Sequence, residues 1–134
     1  PAADQPVFSE TSQSSFDPGF PDRLVAVDAG KRNSMGARYF QMLVDKSIGS
    51  RVATQFIGHI PRSKAAPHRH LYEESLIILN GQGTMWTGTA RAQVNAGDVI
   101  FLPAKCEHSL EATTDEGLDV VGVIYPGDNP SINY

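Results

Sequence analysis

Cysteine is nearly absent: the 134 residues hold one, Cys106. A lone thiol excludes an internal disulfide and fits a reducing compartment, so a cytoplasmic location is expected. Charge is sparse as well. Charged residues make up 19% against 40% hydrophobic, too little charge and too much hydrophobe for a disordered chain. Lys and Arg number 11 against 15 Asp and Glu, a net charge of -4, so the basic face of a nucleic-acid binder is not expected. No apolar run approaches the ~20 residues a membrane span needs. No basic start leading into an apolar stretch reads as a signal peptide. The length suits one domain, on a prior of ~150 residues per domain.

What the chain does have is punctuation. Gly 12 and Pro 9 favour many short elements over a few long helices. Residues 1–22 stand apart: they are rich in Ser, Pro and Asp, with Val7, Phe8, Phe16 and Phe20 scattered without a period. They read as an N-terminal arm, either loose or extended with its phenylalanines docked on a partner subunit. Residues 23–134 read as strand after strand. The expected strands are Leu24–Val27, Ala37–Val44, Arg51–Ile60, Ser75–Leu79, Thr84–Trp86, Ala92–Val94, Val99–Leu102 and Leu118–Tyr125. Turn signals separate them, among them Gly49-Ser50, Gly97-Asp98 and Glu116-Gly117. Asn80-Gly81 is a strong hairpin signal, because both residues tolerate positive φ. The pattern predicts an all-β sandwich or barrel.

The chemistry lies in the histidines. His68 and His70 are two apart, so in extended chain they point to one side. Glu74 follows them, and His108 lies five residues past Pro103. Three imidazoles and a carboxylate converging from rigid backbone make a divalent-metal site with open positions. Alternation turns Glu73 and Arg69 away from that side. His59, near a strand end, reads as a hydrogen-bonded structural histidine. Cys106, two residues before His108, reads as a small buried thiol.

The spacing resembles the cupin family. Its first motif, G-x5-H-x-H-x3,4-E-x6-G, finds His68, His70, Glu74 and Gly81, with Arg62 where the opening Gly belongs. Its second, G-x5-P-x-G-x2-H-x3-N, finds Gly97, Pro103 and His108. There Lys105 stands in place of Gly and Ala112 in place of Asn. The resemblance implies a single cupin jelly-roll β-barrel with a metal inside one end, and often a homodimer built by strand exchange. It implies His68, His70, Glu74 and His108 as ligands of one divalent transition metal: Mn or Fe first, with Ni, Cu, Co or Zn also accepted.

It also implies a small-molecule substrate. Similar three-His-one-Glu sites occur in quercetin-cleaving dioxygenases and in oxalate oxidase-type germins; in the first, Glu74 would double as general base toward a substrate hydroxyl. The expected function is therefore a metal-dependent dioxygenase or oxidase. The alternatives are a non-redox cupin lyase, isomerase or hydrolase, or a non-catalytic small-ligand binder. Gln55, Tyr72, Met85 and Phe101 are the candidate pocket residues, Gln55 because it is polar within an apolar strand.

Overall fold

The computed structural model describes residues 23–127 and residue 130. The proposed arm, 1–22, lies outside the described residues. Ten strands follow one another: β1 Asn33–Met35, β2 Arg38–Val44, β3 Thr54–Ile60, β4 Ser63–Lys64, β5 Glu73–Asn80, β6 Gln82–Thr87, β7 Ala90–Asn95, β8 Val99–Leu102, β9 Ser109–Ala112 and β10 Leu118–Tyr125. Two single turns of 3-10 helix, Ala29–Lys31 and Lys46–Ile48, are the helical pieces among the described residues.

The strands form two antiparallel sheets. The larger runs β1-β2-β3-β10-β5-β8 and the smaller β4-β9-β6-β7. Alternation assigns the faces. Along β5, Glu74, Leu76 and Ile78 are buried while Glu73, Ser75, Ile77 and Leu79 are exposed. Along β10, Leu118, Val120 and Ile124 turn inward. They meet Phe40, Phe56 and Ile60 from the neighbouring strands, and Met85, Val94 and Leu110 from the smaller sheet. Burying an apolar side chain of this size is worth about 1.5–3 kcal/mol. The inward faces therefore hold the sheets together, and every strand's register is tied to them.

Two expectations need correction. Leu24–Val27 is not a strand, and Leu24 and Val27 are exposed. The chain there bonds to a side chain instead of a ladder. Gln41 accepts from the Asp28 N–H at 2.8 Å and donates to the Ala26 carbonyl at 3.0 Å. Its buried amide thus stands in for a neighbouring strand. The short strands β1, β4 and β9 carry too little pattern to be read from sequence.

Asn80-Gly81 does not close a hairpin. Both edges of β5 are already taken, by β10 and β8, so β6 crosses into the other sheet. Gly81 makes that corner at φ 96, with the Gly117 carbonyl packed where a side chain would begin. The tight hairpin lies one strand later, where Thr87 pairs with Ala90 and Gly88 has φ 63. A Cβ on Gly81 would sit 2.0 Å from the Gly117 oxygen, so the corner must open. Gly81→Ala is therefore expected to cost about 3 kcal/mol or more in urea unfolding. A loss below ~1 kcal/mol would show that the corner is not tightly held.

Candidate metal centre

His68 and His70 lie in the extended segment leading into β5, and His108 lies just before β9. A two-residue antiparallel bridge joins the segments. The His68 N–H donates to the His108 carbonyl at 3.0 Å, and the His108 N–H returns to the His68 carbonyl at 2.9 Å. Residues paired in this way carry their side chains on one face. His70, two residues on, joins the same face, and its carbonyl accepts from the Lys105 N–H at 2.7 Å. The three rings come together with centroids 4.5 to 5.1 Å apart. Their ligand atoms all fall within 4.8 Å of one another.

Hydrogen bonds settle which nitrogens are available. His68 Nδ1 lies 2.9 Å from the Ala66 carbonyl and His108 Nδ1 lies 2.9 Å from the Cys106 carbonyl. A carbonyl only accepts, so each Nδ1 carries the proton and each Nε2 keeps its lone pair. That is the arrangement of metal-binding imidazoles. His70 stacks on Tyr72 at 4.6 Å, nearly parallel. The donor set fits a borderline divalent transition metal.

The three histidines open into a cavity of about 530 Å³. Its lining is mostly apolar, with Phe40, Phe56, Ile60, Leu76, Met85 and Leu110 prominent. Glu74 lines it too, but its carboxylate stands outside the 4.8 Å group of the histidines. Residues 59–124 match the family model of the cupin domain. The chain carries a cupin domain.

A quercetin 2,3-dioxygenase from Bacillus subtilis (strain 168) is 31% identical to this cupin over 107 residues, covering 79% of the chain and 27% of the relative. A second relative, from Methanocaldococcus jannaschii, is 32% identical over 65 residues, 48% of this chain and 52% of its own length. The chain thus spans between a quarter and about half of the relatives it matches. Among solved structures, a Cupin 2 conserved barrel domain protein from Salinispora arenicola CNS-205 has a TM-score of 0.66 at 20% identity, over 81% of this chain and 90% of that one. At that identity the likeness speaks for the fold.

The departures from the cupin motifs are backbone matters. Lys105 takes φ 66, the left-handed conformation for which glycine is suited. A lysine there costs about 1–2 kcal/mol. Arg62 reaches Asp115 at 2.9 Å on the surface, and Ala112 is buried opposite Gly83.

The candidate pocket residues divide. Met85 lines the cavity. Tyr72 is buried behind His70 and does not line it. Gln55 does not line it either, because Thr54, Phe56 and Ile60 take the inward positions of β3. Phe101 is 59% exposed, on the outer face of β8, where Leu102 takes the inward position. His59 bonds through Nδ1 to Asp119 at 2.7 Å and stacks on Tyr39. Sequence reasoning passed over Arg38, which lines the cavity and shares its strand parity with Phe40 and Met42.

Burial sets the electrostatics. Glu74 is 7% exposed, and its carboxyl makes no hydrogen bond or ion pair among the described residues. Burial pushes its pKa up to about 7. His108 is pushed down, first by burial; the Cys106 carbonyl pulls it back up, and His68 adds to the lowering. A neutral His108 is ready to bind metal.

An acid with a raised folded pKa favours folding below its unfolded value, and that contribution is lost as pH rises through the folded one. The metal-free cupin should therefore lose about 3 kcal/mol between pH 4.5 and pH 8 through Glu74. Glu74→Gln should remove most of that loss, raising the Tm of metal-free protein at pH 8 and leaving it nearly unchanged at pH 4.5. Equal Tm shifts at both pH values would show that Glu74 does not carry it.

Proposed function

We propose that this cupin is a metal-dependent enzyme of dioxygenase or oxidase type, acting on a small organic molecule at a three-His-one-Glu site. The observation that carries the reading is the convergence of three imidazoles, with the Nε2 lone pairs of His68 and His108 available, on an apolar cavity that also holds a buried carboxylate. The similarity to quercetin 2,3-dioxygenase supports it. His68, His70 and His108 would hold the ion and Glu74 would complete the set, with Mn or Fe favoured and Ni, Cu, Co or Zn compatible. Such an ion supplies Lewis acidity and, if redox-active, an electron path between substrate and O2.

The chain's own residues do the rest. The apolar walls exclude water and strengthen electrostatic interactions inside. Glu74, a carboxylate on the cavity wall, suits a general base that takes a proton from a substrate hydroxyl. A non-redox lyase, isomerase or hydrolase is the second reading. It is favoured by the separation of Glu74 from the three histidines, which leaves the carboxylate free for proton transfer alone.

The test pairs elemental analysis of protein purified without chelator with oxygen uptake over catechols, flavonols, diketones and small dicarboxylates. Near-stoichiometric metal with substrate-dependent uptake is expected. Metal without uptake would favour the non-redox reading or a binding role. His108→Ala keeps the backbone bridge to His68, so the barrel should stay folded while metal content falls at least severalfold and activity disappears. Unchanged metal stoichiometry would overturn the ligand assignment.

We also read the chain as a homodimer. Val99 and Phe101 of β8 are 66% and 59% exposed, beside Ile77 of β5 and Val123 of β10. A contiguous apolar face on an edge strand marks an interaction surface, and a second copy matches it by two-fold symmetry. Phe101→Lys should shift a dimer to a monomer in light scattering. A mass that does not change would remove this face as the interface.

A further inference from the structure

The metal-binding histidines and Glu74 are not the only ionisable groups on the cavity wall. Arg38 opens β2 on the same face as Phe40 and Met42, which pack on the core. It lines the cavity, and its Nη2 donates to the Leu110 carbonyl at 3.1 Å, joining the larger sheet to the smaller one. Among the described residues no carboxylate forms an ion pair with it; the pairs present are His59–Asp119, Arg62–Asp115 and Arg69–Glu107. Its other N–H groups find no acceptor there. It is half-buried, and the loss of part of its water holds its pKa below the usual arginine value.

A guanidinium drawn out of water without a counter-charge is costly. A fold keeps one in an apolar cavity at a gain when a ligand brings the missing charge. Arginine offers five N–H donors in a planar fork that matches a carboxylate, and the Leu110 bond uses only one of them. We propose that Arg38 anchors a carboxylate on the substrate, so that the cavity takes a small organic acid with an apolar body.

Size and charge agree. The volume, about 530 Å³, lies in the range of small-molecule sites. Leu110 is two residues from His108, roughly 7 Å along extended chain. An acid whose body is one or two rings would therefore reach from Arg38 to the histidines. Arg38 is the one permanent cation among the described lining residues, which suits a single carboxylate rather than a phosphate dianion. What happens at the far end of the molecule rests on the metal-dependent reading above; the anchoring does not.

The test measures binding of 2-naphthoate and its neutral counterpart 2-naphthamide by calorimetry, on the protein as purified. The acid is expected to bind at least about tenfold more tightly than the amide, the range of a charge-assisted pair. Arg38→Met should cut the acid-to-amide ratio about tenfold or more while amide binding stays. Arg38→Lys keeps the charge and loses the fork, so it should lower the ratio severalfold; if the Met variant does not fold, this variant decides. No preference in the unaltered protein, or a ratio that neither variant changes, overturns the proposal. Metal content read on the same samples separates the two readings. Full metal without acid preference removes the anchor and leaves the metal reading. Acid preference without metal does the reverse.

Discussion

Two backbone hydrogen bonds between His68 and His108 are the constraint on which the centre depends. They join two segments 40 residues apart in sequence, and they do so outside the main sheets. Because the two residues are directly opposed, their rings cannot face apart. A third bond, from the Lys105 N–H to the His70 carbonyl, locks the remaining histidine to the same neighbour. Lys105 holds this bond from a left-handed conformation that suits glycine better. The strain sits in the turn that holds His70 in place, and proteins commonly keep strain at such sites.

The cavity behind these rings is defined by polar groups left without partners in apolar surroundings. Glu74 has no hydrogen bond or ion pair among the described residues, and Arg38 has one carbonyl and no carboxylate. Both line the cavity, Arg38 bonded to the Leu110 carbonyl. Elsewhere several buried polar groups are paired, while the buried Thr114 hydroxyl is not. Gln41 is 2% exposed, yet its amide both accepts and donates. Ser109 donates to the Ala65 carbonyl at 2.6 Å.

The outer face follows a different logic. Tyr39, His59, Asp119 and Asn80 form a cross-strand row over the larger sheet, tied by stacking and hydrogen bonds. Toward β8 that face turns apolar, with Ile77, Val99, Phe101 and Val123 outward. One sheet thus presents a cavity wall inside, a satisfied polar row outside, and an uncovered apolar stretch beside it. Strand alternation alone permits this, since each residue step changes face.

Much was legible in the residues themselves. Alternation and turn chemistry are local, so the longer strands and the all-β class could be read without the fold. The spacing of His68 and His70 and the offset of His108 pointed to a metal centre for the same reason: ligand spacing is a chain property. Tertiary structure decided what depends on neighbours far away in sequence. Asn80-Gly81 looked like a hairpin, but β5 already had two partners, so the turn became a corner between sheets. Leu24–Val27 looked like a strand, but its hydrogen bonds went to Gln41. Phe101 and Gln55 had the right character for a pocket and the wrong parity relative to the core. Arg38 carried no signal in the sequence; packing placed it on the cavity wall. Which side chains face one another across a barrel is set by register and crossing, and those exist only once the strands have paired.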